Sequence, residues 1–104
     1  MQYRKFIFIK KIRIEKKIKI MWILYIIKCN DNSLYTGITK DINKRLQAHT
    51  NGTAAKYTRG RGPFQLLYLE NHLDRSQATK NEYKIKKLSL VQKLKLIQEY
   101  SDIL

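Results

Sequence analysis

The chain has one cysteine, Cys29, among 104 residues. Without a second thiol it forms no internal disulfide, and a cysteine-based zinc site is excluded. Cys29 ends the apolar run "WILYIIKC", where a free thiol behaves as a small buried hydrophobe rather than a nucleophile. Such sparing use of cysteine suits a reducing, cytoplasmic setting. Long hydrophobic runs are missing too. None approaches the roughly 20 apolar residues that a membrane-spanning helix needs, and no small-residue cleavage site follows the basic start, so neither a membrane span nor a signal peptide is expected. Acidic residues are scarce: 8 Asp+Glu stand against 22 Lys+Arg, a net charge of +14. That surplus points to a polyanionic partner. Nucleic acid is the first choice, an anionic membrane surface the competitor, and plain solubilisation the remaining alternative.

The charge is unevenly spread. Residues 1–20, "MQYRKFIFIKKIRIEKKIKI", hold 8 Lys+Arg and one Glu, half of the whole surplus. Ile12, Ile14, Ile18 and Ile20 alternate with charged residues, which fits either a two-faced strand or a disordered basic arm. Met21 also offers an alternative start, in which case residues 1–20 stand outside the native protein. The division expected is a basic N-terminal extension over 1–20 and one small domain over 21–104, since a chain of this length with 43% hydrophobic residues supports a single core.

From Trp22 the pattern sharpens. "WILYIIKC" and "LYTGIT" are β-branched and aromatic runs around the turn "NDNS", a hairpin. Asp41 is the N-cap of a helix to about residue 50, with Gly52 as its stop. "NGTAAKYTRGRGP" is a basic, glycine-containing loop and "FQLLYLE" a third strand. A helix follows from about Ser76 to Leu88, and Ser89 with Gln92 forms a capping box that opens a last helix to about Tyr100. No internal repeat occurs. The order is ββαβαα, an α+β fold with a three-stranded antiparallel sheet flanked by helices.

Strand parity then tests whether two tyrosines work together. A hairpin loop of Asp31, Asn32 and Ser33 sets Tyr25 opposite Thr39. Leu24, Ile26, Leu34 and Ile38 then share one face, and Tyr25, Tyr35 and Gly37 the other. A loop of two or four residues separates the phenols. Each tyrosine alone is an ordinary sheet aromatic; the pair, beside a glycine that lets a backbone or ligand come close, suggests a site.

Both central helices carry a charge on the face that should meet the sheet. Arg45 lies within the stripe Ile42, Leu46, His49, and Glu82 lies between Ala78 and Ile85. A buried carboxylate needs a cation, for which Arg45 is the candidate, or a metal ion. A carboxylate holds a hard divalent ion, a guanidinium binds phosphate bidentately, and a phenol orients or deprotonates water. Phosphodiester cleavage uses all three. A phenol with the unperturbed pKa of about 10 is a poor base at neutral pH unless a metal or cation lowers it.

At these residues the chain resembles the GIY-YIG nuclease family, in particular its small bacterial single-domain members of the YhbQ type and related junction-cutting subunits. The resemblance runs over residues 22–97. "ILY" at 23–25 stands at the first triplet and "YTG" at 35–37 at the second. "RLQAH" at 45–49 resembles the segment with the family arginine and a frequent histidine, and Glu82 in "ATKNE" matches the metal-binding glutamate. "KYTRGRGPFQLLY" resembles this subgroup's loop and third strand. The resemblance implies an endonuclease that cuts DNA with one divalent metal, Mg²⁺ or Mn²⁺. It makes Glu82 the metal ligand, Tyr35 the general base or water-orienting phenol, Tyr25 its partner or a phosphate contact, and Arg45 the stabiliser of the phosphorane-like transition state. Ile23 and Thr36 depart from the two triplets. Ile38 stands where some members carry a lysine, leaving that charge to Lys40 or Lys56.

His49, one turn from Arg45, either assists proton transfer, contacts phosphate or packs as a hydrogen-bonded histidine. His72 receives no role. Lys56, Tyr57, Arg59 and Arg61 interleave stacking and phosphate-binding groups, a DNA contact or a merely solvated loop, and Gly37 and Lys40 complete the expected nucleic-acid surface. A domain this small has little surface for reading sequence, which favours branched or single-stranded substrates, as met in repair or recombination. The alternatives are a non-catalytic module binding DNA or RNA, and a nuclease subunit that needs a protein partner.

Overall fold

The structure, a computed structural model, describes residues 21–104; the readings of residues 1–20 lie outside them. In chain order the elements are β1 (Trp22–Lys28), β2 (Leu34–Thr39), α1 (Ile42–Thr50), β3 (Gln65–His72), α2 (Arg75–Lys86) and α3 (Leu90–Ile103), the ββαβαα order expected. The sheet runs β2-β1-β3 with both pairings antiparallel.

Ile23 to Ile27 of β1 are all buried, as a strand of unbroken apolar residues requires: it must be covered on both faces and so takes the centre. On one face Leu24, Ile26 and Tyr68 pack with Ile85 of α2 and Ile97 of α3. On the other, Ile23, Tyr25 and Ile27 pack with Ile42 of α1 and with Leu66 and Leu69. A register shift opposite Ile26/Ile27 skips Leu67, so Leu66 and Leu69, three apart, reach the same face.

The hairpin corrects one expectation. Its loop is Asn30, Asp31 and Asn32, one position earlier than expected, closed by Cys29 N–H donating to Ser33 O at 2.8 Å. Asn32 takes the left-handed conformation (φ +68°), which asparagine tolerates and which ends this kind of three-residue loop. Asp31 Oδ1 accepts from the amide and the hydroxyl of Ser33. Moving the loop by one position moves the register by two, so Tyr25 pairs with Gly37 rather than Thr39, and Ile27 with Tyr35. Parity survives a shift of two. The phenols share a face as expected.

α1 starts where Asp41 accepts from Lys44 N–H and stops at a paired C-terminal turn. There Gly52 (φ +78°) donates to His49 O and Thr53 to Ala48 O, the two bonds of a Schellman end. α2 starts one residue early because Asp74 caps it, and β3 runs on to His72, which therefore belongs to a strand rather than a connection. The Ser89/Gln92 capping box is present, and α3 continues to Ile103. No described helix is long and apolar enough to cross a membrane.

Candidate active site

Four elements supply the groups: Tyr25 from β1, Tyr35 and Gly37 from β2, Arg45 and His49 from α1, Glu82 from α2. Tyr25 is 1% exposed, and its hydroxyl lies 2.6 Å from His49 Nε2. His49 Nδ1 lies 2.8 Å from Thr58 Oγ1, and that hydroxyl donates onward to Ala55 O. Thr58 therefore accepts the proton on Nδ1, which leaves Nε2 to accept from Tyr25. Burial first, then the Arg45 guanidinium, pushes the His49 imidazole down to about 4. The ring is neutral at pH 7, as an acceptor must be.

This makes stability depend on pH in a defined window. An unfolded histidine titrates near 6.5 and the folded one near 4, so between those values the unfolded chain binds more protons. His49's contribution is complete above pH 6.5 and is lost as the pH falls toward 4. Thermal unfolding across this range should show a falling Tm, with a shallower fall in His49→Gln. An equal slope in both proteins would show that the histidine is not buried neutral.

Burial also pushes the Tyr25 phenol well above its ordinary range, Tyr35 adding to the shift, Arg45 opposing it and Glu82 adding again. The charges of Arg45 and Glu82, from two further elements, thus act on one hydroxyl. Beneath that hydroxyl lies Gly37. A Cβ there would stand 2.6 Å from Tyr25 Oη and 3.0 Å from the Tyr35 ring. The opening expected to admit nucleic acid is filled by the protein's own phenols, because Tyr25 is pinned between His49 and the strand.

Tyr35 is half-buried. His49 meets its ring edge-on, with centroids 5.2 Å apart, and Tyr57 stacks on it at 5.8 Å and 27°. The Arg61 guanidinium lies 4.7 Å from the Tyr57 ring centroid and pairs with Asp31 at 2.5 Å. Tyr57 and Arg61 therefore roof the site directly. Lys56 and Arg59 are exposed in the same loop, and Lys40 lies over Trp22 instead, 5.6 Å from its ring centroid.

Of the two alternatives left open for Glu82, a cation such as Arg45 or a metal ion, the Arg45 pair does not form. Arg45 Nη1 donates to Ala54 O at 3.4 Å, and Glu82 pairs with Lys86 at 3.1 Å, a neighbour one turn along its own helix. Glu82 is the more enclosed partner, its side chain 19% exposed against 52% for Lys86. The donor set fits a hard cation bound through one carboxylate: a shielded oxygen ligand whose present partner is an exposed surface ammonium. Among the described residues no three His, Cys, Asp or Glu side chains cluster as a metal cage. A magnesium-type ion needs no such cage, since it keeps waters and takes phosphate oxygens.

Sequence reasoning missed a polar cluster on β3. Glu70 accepts from Tyr68 at 2.5 Å, from His72 at 2.6 Å and from Asn81 of α2 at 2.8 Å. Burial works against the ionised carboxylate, but these three bonds outweigh it and hold Glu70 below its usual range. The cluster ties α2 to the sheet. Its signal was the alternation Tyr68, Glu70, His72, legible once the strand is extended to His72.

A family model described as the GIY-YIG catalytic domain matches residues 21–95. A UPF0213 protein of Oceanobacillus iheyensis is 52% identical over 75 residues, 72% of this chain and 87% of its own length. A UPF0213 protein of Clostridium perfringens is 54% identical over 78 residues, 75% of this chain and 84% of its own. The solution NMR structure of the UPF0213 protein of Bacillus halodurans is similar with a TM-score of 0.50 at 42% identity, covering 74% of this chain and 82% of that one. The solution NMR structure of a protein from E. faecalis gives a TM-score of 0.51 at 36% identity, covering 76% of this chain and 84% of that one.

Proposed function

The chain belongs to the GIY-YIG family, and from that premise we propose that it is a divalent-metal-dependent endonuclease hydrolysing DNA phosphodiester bonds. The observation that carries this reading is the packing of Tyr25, Tyr35 and His49, from three separate elements, into one cluster, with the Tyr25 hydroxyl 2.6 Å from His49 Nε2 and the charges of Arg45 and Glu82 felt at that phenol. Arg45 binds phosphate oxygens and stabilises the charge that builds on them. Tyr35, the less buried phenol, accepts a hydrogen bond from the attacking water and aims it. Tyr25 is a positioning residue: its proton is held by His49, and its ring backs Tyr35. Glu82 holds the Mg²⁺ or Mn²⁺, which when bound supplies Lewis-acid stabilisation and a more acidic water. The basic loop with Tyr57 and Arg61 grips the strand beside the site.

The test is cleavage of single-stranded, duplex and branched DNAs with Mg²⁺, Mn²⁺ or EDTA. Nicking that needs the metal, and is fastest on branched or single-stranded DNA as in repair or recombination, supports the reading. Salt-sensitive binding without cleavage on any substrate replaces it with a non-catalytic DNA- or RNA-binding module. A subunit needing a protein partner is the second reading, favoured by Leu90, Val91 and Leu94, which expose apolar surface at the start of α3.

A further inference from the structure

A groove of about 430 Å³ opens between the end of β2 and the start of α1, with Trp22, Lys40, Lys44 and Arg45 on its walls. Two long cations gather on its indole. Lys40 Nζ lies 5.6 Å and the Arg75 guanidinium 5.3 Å from the Trp22 ring centroid. Lys40 comes from the β2–α1 link and Arg75 from the first position of α2, so elements far apart in sequence deliver charge to one aromatic. Contacts of this kind attract modestly at exposed sites, enough to bias flexible side chains toward one place. Lys40, Lys44 and Arg45 line the groove, and Arg75 adds a fourth cation on its indole. Asp41 is the one carboxylate on its wall, and its Oδ1 already accepts from the Lys44 amide. Mutual repulsion of four cations is relieved by a polyanion, whose counterions are released as they bind.

The position of the groove says which polyanion. Arg45 belongs both to the groove and to the site that acts on Tyr25. Arg75, Ala78 and Glu82 lie at i, i+3 and i+7, one stripe of α2. Ala78 is fully buried, so this stripe is the inward face of α2 and sets Arg75 and Glu82 at the two ends of one packed helix face, while Arg45 is the residue that groove and site share. We propose that this groove binds the backbone of the DNA strand next to the phosphate under attack, with Trp22 organising Lys40 and Arg75 as phosphate contacts. The proposal rests on the nuclease reading for its substrate, and it adds Trp22, Lys44 and Arg75 to the binding surface.

Trp22 is the chain's single tryptophan, so its emission reports the groove alone. The experiment titrates the protein with end-labelled oligo-dT in EDTA, following label anisotropy and Trp22 fluorescence together, for wild type and for Lys40→Ala/Arg75→Ala. The expected result is a change in emission with the same midpoint as the anisotropy. The double variant should bind roughly three- to tenfold more weakly at low salt, and its salt slope should drop by about 1.4, the release expected of two single-strand phosphate contacts. Both substituted side chains are exposed, and an unchanged far-UV spectrum verifies the fold. Saturating anisotropy with an unmoved tryptophan overturns the proposal, as does a double variant with wild-type affinity and slope. Because EDTA prevents turnover, the titration reads the groove's grip on DNA by itself; absence of cleavage in Mg²⁺ removes the nuclease reading, and with it the phosphate under attack, while the backbone contact in the groove stands. Cleavage with a silent Trp22 does the reverse.

Discussion

Glu82→Gln is expected to lower Mg²⁺-dependent cleavage by about 10³-fold or more while changing oligonucleotide affinity in EDTA by less than about twofold. The substitution keeps shape and removes only the anionic oxygen that a hard cation requires, and Lewis-acid stabilisation of a phosphoryl transition state is worth several kcal/mol. Folding should survive, since the pair lost with Lys86 is an i,i+4 surface contact worth only about 0.3–0.5 kcal/mol. Single-turnover cleavage and equilibrium binding, measured side by side, separate the two effects. A variant that keeps a tenth of wild-type cleavage would remove Glu82 from the metal site.

The second large effect is expected from Tyr35→Phe. Only the hydroxyl goes; the stack with Tyr57 and the edge contact with His49 depend on the ring and remain. Losing the hydroxyl that accepts from the attacking water and aims it should cost about 10²-fold or more in rate, with KM little changed. Unimpaired cleavage would move the water-facing role to Tyr25, whose hydroxyl would then have to leave His49. The pH window described for His49 gives an independent check, because Tyr35→Phe should leave it where it is.

Sequence alone located parts of the candidate site where its logic was local. The stripe of α1 placed Arg45 and His49, Asp41 and Gly52 bounded that helix, and both follow from chemistry within one turn. The hairpin shows what was beyond reach. Asn30, Asp31, Asn32 and Ser33 are four polar turn formers in a row, so a three-residue loop could begin at either of two positions. The backbone decided by placing Asn32 in the left-handed region. The faces were still legible, because both choices differ by two in register and parity ignores two. Glu82's partner was not legible. Arg45 was the cation weighed for it beside a metal ion, and only the packing of α2 shows that Lys86 reaches it while Arg45 turns to Ala54. The Tyr57 stack on Tyr35 was hidden for a similar reason, since the path of an irregular loop is set by distant contacts such as the Arg61–Asp31 pair.

Gly37 has a consequence for how this chain can change over generations. At most buried positions tolerance grades with side-chain volume, and a lineage can drift through small residues. Here every alternative to glycine carries its first carbon to the same spot, 2.6 Å from the Tyr25 oxygen, so alanine meets the same obstruction as any larger residue. The position is a switch rather than a dial. Drift through it is closed for as long as Tyr25 remains pinned to His49, and opens once that bond is given up. Glycine, tyrosine and histidine here amount to one heritable character written at three places in the chain.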